Sequence, residues 1–438
     1  MTAPGDQGDE PSGYLALIRR NRAFRLLWIG SVVSLFGDWF NTMAVFAVVE
    51  ALTGSPLALG LVVAIKLFGF ALFSIPGGLV ADRLPRKALM VGADLSRAVI
   101  VLGFLLVEDA GDLPLLYILL AVQVGLGAVF DPASRASLPN ITSPTELLTA
   151  NALQAASWST LLAVGAAVGG VATAALGADA IFVVDSATYL VSAACVARVT
   201  IPQTFGVAAR GGHLAARAYR DLVDGWAYLH RHPRVGRVAL AKTAWAVGGG
   251  GLVYLLTLVG GRLTPQDVAL GIGILYSARG VGTGVGPILA RRLFRDRSRW
   301  PVVLGACVVT SALSYLAVGL GGWGWGLLVP VLVAHAASGA NWVLSTVLLQ
   351  ERVEDVIRGR VFGAEMVLLC ATEGAVTLAA AGLVEAQALS LSGALVAFSL
   401  LQLATGALWL AWVPRRERRE AAAGGGAQGA QGAAADGG

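Results

Sequence analysis

Four ionisable side chains lie near the middle of long apolar stretches of this 438-residue chain: Asp38, Lys66, Arg279 and Glu373. A charged group at the centre of a bilayer costs about 2.5–3.5 kcal/mol on insertion scales, so such groups usually carry protons or contact a charged substrate. At a rise of about 1.5 Å per residue, Asp38 and Lys66 reach similar depths. The spacing predicts an Asp38–Lys66 pair, which either carries a proton or contacts a charged ligand, or only holds two helices together.

The composition indicates that these groups are surrounded by membrane. Hydrophobic residues make up 56% of the chain and charged residues 13%, and a soluble protein of this length does not bury so much apolar surface. The three cysteines lie in apolar stretches without a disulfide pattern, and the four histidines are scattered. We expect no metal site, and no catalytic residues, because no nucleophile–base pair is evident. The chain is therefore expected not to be an enzyme.

The order of apolar stretches predicts the fold. A membrane-spanning helix needs roughly 20 mostly apolar residues, and twelve such stretches occur, six on either side of the longest polar interval. We predict an all-α polytopic membrane protein with two six-helix bundles. The predicted spans are 24–51, 57–81, 87–107, 114–133, 147–175, 179–199, 237–261, 266–290, 301–320, 325–350, 360–384 and 389–413.

The predicted domains follow from these spans. A cytoplasmic segment at 1–23 precedes a bundle at 24–199, and a second bundle occupies 237–413. The linker at 200–236 contains helical spacing over 214–231, with arginines between apolar residues, which predicts an amphipathic surface helix. The Ala-, Gly- and Gln-rich end of the chain predicts a disordered cytoplasmic tail at 414–438.

Arginines and lysines concentrate on alternate polar segments, which predicts the orientation. One set of segments is rich in these residues, whereas the opposite set carries only Arg262, beside acids such as Glu108 and Asp109. We therefore expect both termini in the cytoplasm and the protein in the plasma membrane. The net charge of +5 then reflects topology, and no nucleic-acid partner is expected.

The most charged turn lies between the second and third predicted spans. Its defining residues are Gly78, Asp82, Arg83, Arg86 and Lys87. The pattern Gly-x-x-x-Asp-Arg-x-x-Arg-Lys resembles the loop between helices 2 and 3 of the major facilitator superfamily of transporters, with Pro85 where the family usually has Gly. The resemblance implies two bundles related as parallel repeats.

This resemblance implies a conformational latch at the cytoplasmic surface. It places Asp82 at the start of the eleventh helix, at Gly359-Arg360, where the helix dipole favours an anion. It also implies that Arg86 pairs with Asp131, near Arg135, at the end of the fourth helix. Gly78, lacking a side chain, would let the second helix approach a neighbour. The alternative is a solvated turn that only sets topology.

Other segments resemble the branch that contains macrolide-type and enterobactin-type exporters: 36–39, 131–135 and 359–363. In the fifth span, Gly165, Gly169 and Gly170 resemble the exporter signature Gly-Pro-x-x-Gly-Gly, with Ala replacing Pro. Close packing of small residues explains the same spacing. A second antiporter signature is incomplete, since Leu, rather than Arg, stands three residues before the fourth-span glutamine.

The fold implied by the resemblance has a central cavity lined by eight of its helices. The residues that this implies as cavity candidates are Asp38, Lys66, Gln123, Asn151, Trp245, Arg279, His335, Asn341 and Glu373. Asp38, Arg279 and Glu373 are the candidates for contact with substrate or proton, whereas His335 and Trp245 suit packing better.

Two polar sites are expected to be structural. Asp94 and Arg97 are i,i+3 neighbours in the third span and can pair on their own helix. Asp185 lies in the sixth span, which is usually peripheral in this fold, so we interpret it as a hydrogen-bonding group between helices.

The resemblance implies a secondary transporter that works by alternating access. We expect proton-driven efflux of a small amphipathic drug or natural product, by a monomer in the bilayer, without a cofactor. Two alternatives stay open. The same fold could import a small solute, or the chain could be a membrane scaffold or sensor that transports nothing; the charged residues inside the spans argue against the last.

Overall fold

The computed structural model describes residues 13–202 and 214–435. Within these residues the chain is helical apart from short connections, and no strand occurs. Twelve of the described helices are long and apolar enough to cross a membrane, which confirms the predicted fold class.

Fourteen α-helices follow one another in the described part. They are α1 (Tyr14–Arg20), α2 (Arg22–Thr53), α3 (Pro56–Arg83), α4 (Arg86–Leu102), α5 (Leu113–Ile141), α6 (Pro144–Leu176), α7 (Ala178–Ala197), α8 (Leu214–Arg231), α9 (Pro233–Leu263), α10 (Val268–Leu293), α11 (Trp300–Leu320), α12 (Leu328–Arg352), α13 (Asp355–Glu385) and α14 (Leu391–Ala435). The candidate spans comprise α2–α7 and α9–α14, and α8 lies where the sequence predicts an amphipathic helix.

Local sequence explains where the helices begin and end. Gly54 ends α2 in a left-handed conformation, with φ 55°, which a residue without Cβ adopts readily. The side chain of Ser55 then accepts a hydrogen bond from the Ala58 backbone N–H, and Pro56 occupies the first turn of α3. A two-residue connection, Gly54 and Ser55, therefore suffices to reverse the chain between the first two spans.

The chain divides into two compact units that differ from the predicted bundles. The first unit is Met1–Arg220 with Leu256–Val281, and the second is Asp221–Leu255 with Gly282–Gly438. The boundaries between the units fall inside α9 and α10, so each of these helices has one end in the first unit and the other end in the second. In the first unit α2 packs against α6 and α7, and in the second α11 packs against α12 and α14.

Several helices extend past the ends predicted from the sequence. Residues 131–135 lie inside α5, which continues through Pro132 and Pro139, because neighbouring helices can compensate for a proline in a spanning helix. The charged turn is shorter than predicted, since only Leu84 and Pro85 separate α3 from α4.

The expected disordered tail is helical as far as Ala435. Alanine has the highest helix propensity, and extending an existing helix requires no new nucleus. Glu417 and Glu420 also form ion pairs with Arg237, which fixes the first part of this segment. The prediction of disorder was therefore wrong for the described part of 414–438.

Candidate functional site

A polar cluster in the first unit joins α2, α5 and α7. Tyr189 is fully buried on α7, and its hydroxyl donates a hydrogen bond to Asp38 Oδ1. Gln123 Nε2 on α5 donates to the same hydroxyl at 3.0 Å. Because Asp38 is only half-buried, one carboxylate oxygen is held by Tyr189 while the group stays accessible. We refer to Asp38, Lys66, Asp94, Arg97, Gln123, Asp185 and Tyr189 as the Asp38 cluster.

Asp185 is a member of this cluster that the sequence predicts only as a hydrogen-bonding group between helices. Its side chain is fully buried, and Oδ2 accepts a hydrogen bond of 2.8 Å from Asn41 Nδ2. Thr188 Oγ1 lies 3.2 Å from Oδ1. These partners are neutral, and no lysine or arginine of the described residues lies within ion-pair distance. An ionised carboxylate buried in this way is costly, so Asp185 is suited to hold a proton.

Lys66 is close to Asp38 without forming the direct predicted pair. Its Nζ lies 2.5 Å from Thr42 Oγ1, and that hydroxyl donates to the Asp38 backbone carbonyl at 2.7 Å. The charges of Asp38 and Asp185 both act on the ammonium group. Thr42 therefore bridges Lys66 and Asp38, because the Lys66 ammonium contacts the Thr42 hydroxyl, one helical turn beyond Asp38.

The predicted Asp94–Arg97 pair is present and belongs to the same cluster. Arg97 Nη2 lies 2.5 Å from Asp94 Oδ1, and both side chains are buried. The guanidinium also lies 4.4 Å from the centre of the Tyr189 ring, a cation–π contact. The pair therefore supports the tyrosine that holds Asp38, rather than acting only within its own helix.

The cluster contains more acids than bases. Among the described residues of the cluster, three carboxyl groups, Asp38, Asp94 and Asp185, accompany two cations, Lys66 and Arg97. In a low-dielectric interior an unbalanced charge is unfavourable, so binding of one positive charge, a proton or a cationic group, would neutralise the cluster. Tyr189 was missed in the sequence, although it lies one helical turn after Asp185 and therefore on the same face.

A second cluster surrounds Arg279 in the first unit. Its guanidinium lies 5.1 Å from the centre of the Tyr276 ring, and the Trp39 ring packs edge-on against Tyr276 at 6.3 Å. Trp39 Nε1 is buried without a hydrogen-bond partner in the described residues. Aromatic rings next to Asp38 can therefore contact an apolar part of a ligand.

Glu373, the other predicted carboxylate, lies in the second unit. It is half-buried on α13, where the backbones of α13 and α9 approach closely. A Cβ on Gly250 would lie 2.7 Å from Glu373 Cα. Thr377, one turn further on, donates to the Gly250 carbonyl at 3.2 Å.

The remaining cavity candidates mainly pack. Trp245 Nε1 donates to Ser311 Oγ at 3.1 Å, and buried His335 lies 2.7 Å from the Tyr315 hydroxyl through Nε2. Asn341 is buried and donates to a backbone carbonyl of α11 at 3.2 Å. Asn151 is exposed and donates to a carbonyl of its own helix.

The second unit contains a buried ion pair that the sequence did not predict. Lys242 Nζ on α9 lies 3.0 Å from Glu365 Oε1 on α13, with side-chain exposures of 3% and 0%. The ammonium also lies 4.6 Å from the centre of the Trp342 ring. Predicted starts at 237 and 360 placed both residues near span ends, whereas the observed helices begin at Pro233 and Asp355. Because the predicted helix starts were wrong by a few residues, Lys242 and Glu365 were placed nearer to the ends of their spans than they are.

The residues of the predicted latch have other contacts. Arg86 Nη1 donates to the Ala136 carbonyl at 2.6 Å and to Asn140 Oδ1 at 3.1 Å, which lie further along α5 than the expected partner Asp131. This is a correction: α5 continues as a helix, so its later turns reach Arg86. Asp131 is exposed, as are Arg83, Arg135 and Gly359, and Lys87 is half-buried.

Arg360 pairs within the second unit instead of marking a helix start. It lies 3.0 Å from both Asp221 Oδ1 and Asp224 Oδ2 of α8, while α13 begins at Asp355.

The side chain of Asp82 lies outside the described part of the chain, so its contact with α13 stays a prediction. The glycine that lets α3 approach α5 closely is Gly77, and not Gly78 as predicted. A Cβ on Gly77 would lie 2.9 Å from the Ala128 carbonyl carbon. Gly78 makes no such contact with a described residue, because adjacent helical positions face different sides.

The three glycines of α6 lie at close helix contacts. A Cβ on Gly165 would lie 3.0 Å from Trp39 Cβ, and one on Gly169 would lie 3.1 Å from Phe40 Cα. At Gly170 it would lie 2.5 Å from the Ala269 carbonyl oxygen of α10. The packing explanation therefore accounts for all three.

Arginines near one end of the second unit bind the end of α14. Arg237 is 5% exposed and lies 2.7 Å from Glu417 and 2.6 Å from Glu420. Arg352 lies 2.9 Å from Glu417, and Arg234 lies 2.8 Å from Glu420. This network links α9, α12 and α14, and the sequence gave no sign of it because the acids fall in the tail.

Comparisons with known proteins agree with this architecture. A family model described as the Major Facilitator Superfamily matches residues 27–372. The putative bacilysin exporter BacE of Bacillus subtilis strain 168 is 25% identical over 65% of this chain and 70% of its own length. Macrolide efflux protein A of Streptococcus pyogenes is 25% identical over 51% of this chain and 55% of its own. Against other relatives the chain spans only about half of their length, 42% and 55%.

Solved structures share the fold at low sequence identity. The crystal structure of a bacterial homolog of the human lysosomal transporter Spinster, in an inward-facing and occupied conformation, aligns with a TM-score of 0.65. It covers 91% of this chain and 96% of the other, at 16% identity. At that identity the likeness concerns the fold alone.

Proposed function

The chain belongs to the major facilitator superfamily, and from this premise we propose that it is a proton-driven exporter of a small, cationic and amphipathic molecule. The observation that carries the proposal is the acid excess of the Asp38 cluster. A cluster with three carboxyl groups and two cations takes up one positive charge to become neutral, and either a proton or a cationic substrate can supply it.

Competition for that charge would couple proton and substrate. Asp38 is the half-buried, accessible member of the cluster, so it meets the substrate, while Tyr189 and Gln123 keep its carboxylate in place. Asp185 is the buried member and holds the neutralising proton while no substrate is bound. When a cationic substrate pairs with Asp38, that proton leaves Asp185, so the cluster is neutral in both states. This exchange of a proton for a positively charged substrate is what an antiporter requires.

Three observations support export and an amphipathic substrate. Two relatives bear names that describe export or efflux. The segments that resemble the exporter branch include the residues around Asp38. The aromatic pair Trp39–Tyr276 offers apolar surface, and Trp39 follows Asp38 directly on α2. We further propose that the protein lies in the plasma membrane with both termini in the cytoplasm, as the arginine distribution favours.

The conformational change is proposed to involve the turn between α3 and α4. Arg86 ties this turn to the end of α5, and Asp82 is proposed to contact α13 in one of the alternating conformations. Loss of that contact would accompany opening on the cytoplasmic side.

The test measures accumulation of fluorescent lipophilic cations in cells that express wild type, Asp38→Asn or Asp185→Asn, with and without a protonophore. We expect lower accumulation with wild type, lost on adding the protonophore and in both variants. The matched control is Asp179→Asn, an exposed position on the same helix as Asp185, which should export normally.

Efflux that survives collapse of the proton gradient would contradict proton coupling. If Asp38→Asn and Asp185→Asn export normally while Glu373→Gln does not, the proton site lies in the second unit and the charge argument fails. If wild type raises accumulation, the protein is an importer.

A further inference from the structure

Two clefts open on the second unit where α10 joins α11. The first has a volume of about 370 Å³ and is lined by Ile288, Arg291, Arg292 and Arg295. Three arginines and one apolar side chain are thus exposed side by side at the end of α10. Its position at the end of a membrane-spanning helix places it at the level of lipid headgroups.

The second cleft is mainly apolar. It has a volume of about 290 Å³ and is lined by Phe294, Val302, Val303, Arg299 and Arg418. Its walls come from the residue that follows α10, the segment at the start of α11 and Arg418 of α14. The two clefts have no lining residue in common.

The arginines of the first cleft have no acidic partner in the described chain. Nearby Arg297 pairs with Glu351, and Arg299 lies 3.4 Å from Asp296. Arg291, Arg292 and Arg295 form no ion pair or hydrogen bond with a described residue. Three positive charges confined to one cleft repel each other, and a dianion or a phosphodiester would relieve that repulsion.

The geometry points to a binding site for an anionic phospholipid, with the headgroup phosphate in the arginine cleft and an acyl chain beside Ile288, the apolar side chain of the same cleft. Guanidinium groups bind phosphate through paired hydrogen bonds, and basic pockets at the ends of spanning helices bind acidic headgroups. Arginines that serve orientation alone need only lie on the correct side of the membrane. Here three arginines share one cleft with the apolar side chain of Ile288. An anionic lipid matches both features, because it carries a phosphate and an apolar chain. The site belongs to the second unit and shares no residue with the Asp38 cluster of the first.

The test uses purified full-length protein in detergent micelles that contain increasing fractions of phosphatidylglycerol or phosphatidylcholine. The readouts are the thermal unfolding midpoint and the amount of phosphatidylglycerol retained, measured by mass spectrometry. Variants are Arg291→Gln/Arg292→Gln/Arg295→Gln and the corresponding triple lysine variant. A matched control removes three exposed arginines from the other end of the chain, Arg19→Gln/Arg20→Gln/Arg22→Gln.

We expect phosphatidylglycerol, and not phosphatidylcholine, to stabilise wild type and the control. Each arginine removed should weaken the apparent affinity about fivefold, so the glutamine triple should need on the order of a hundredfold more lipid. The lysine triple should retain most of the affinity, since charge is kept and only the paired hydrogen bonds are lost. Equal loss in the control triple would overturn the proposal, because any surface arginines would then serve. Equal stabilisation by inorganic phosphate would also overturn it, in favour of a site for a soluble phosphate.

Discussion

Replacing either member of the Lys242–Glu365 pair should destabilise the protein, with opposite pH dependence for the two variants. At 3.0 Å and an effective dielectric constant of about 20, the attraction is about 5.5 kcal/mol. Much of this is offset by the cost of removing both groups from water. Removing one partner leaves a buried charge without compensation, which typically costs about 3–5 kcal/mol.

Proton exchange sets a ceiling on that cost. In Glu365→Gln, Lys242 can avoid a buried charge by losing its proton, which at pH 7 costs about 4.6 kcal/mol from the ordinary lysine pKa of about 10.4. In Lys242→Met, Glu365 can take up a proton, which costs about 3.7 kcal/mol from the ordinary glutamate pKa of about 4.3. At pH 7 the unpaired charge should therefore lower the free energy of unfolding by at most about 4.6 kcal/mol in Glu365→Gln and about 3.7 kcal/mol in Lys242→Met.

The sign of the pH dependence follows from which state binds more protons. In Glu365→Gln the unfolded chain binds one proton more, so stability rises by about 1.4 kcal/mol per pH unit up to about pH 10. In Lys242→Met the folded chain binds one proton more, so stability falls by the same amount per unit above about pH 4.3. Between pH 6 and pH 8 the two variants should diverge by roughly 5 kcal/mol in relative stability.

The assay is reversible urea unfolding in a mild detergent, followed by tryptophan fluorescence at pH 6, 7 and 8. Lys242→Met/Glu365→Met should lose less than the two single variants together, because neither charge is left behind. Glu351→Gln serves as the control, since its pair with Arg297 is exposed and should contribute no more than about 1 kcal/mol. Parallel pH slopes in the two single variants, or losses below about 1 kcal/mol, would refute the reasoning.

Two further variants test the packing and the tail. Gly170→Ala should cost about 1–3 kcal/mol, because its Cβ would lie 2.5 Å from the Ala269 carbonyl oxygen; Gly92→Ala, with open space around it, should be neutral or slightly stabilising in the same thermal unfolding assay. Ending the chain after residue 416 should lower the unfolding midpoint by leaving buried Arg237 without Glu417 and Glu420, whereas ending it after 420 should not; equal midpoints would contradict a structural role for these ion pairs.

The sequence predicts the spans well because each depends on a local run of apolar residues. All twelve runs coincide with a helix, and Asp94–Arg97 was predictable because i,i+3 spacing fixes the distance. The ends were harder to predict. A lipid boundary is not a helix boundary, so α5 and α14 continue beyond the apolar residues.

Contacts between helices could be predicted only in outline. Asp38 was identified as a charged group inside a span and was predicted to pair with Lys66, yet its carboxylate accepts a hydrogen bond from Tyr189, a residue type that is common in apolar helices and drew no attention. Likewise Arg360 pairs with α8, because the linker helix lies against α13 in a way that no spacing rule in the sequence encodes. Residue type and depth are properties of one helix, whereas partners depend on how several helices rotate against each other.

The location of Leu256–Val281 in the first unit bears on how the protein could be divided into fragments. A gene split in the linker between the six-helix halves would give an amino-terminal polypeptide that lacks a part of its own compact unit, and a carboxy-terminal one with an unmatched helical hairpin. Gly273 of the hairpin packs against Ala166 and Gly170 of α6, so its backbone is left exposed when the carboxy-terminal polypeptide is made alone. Two such fragments should therefore accumulate only when co-expressed, and each should be degraded when made alone.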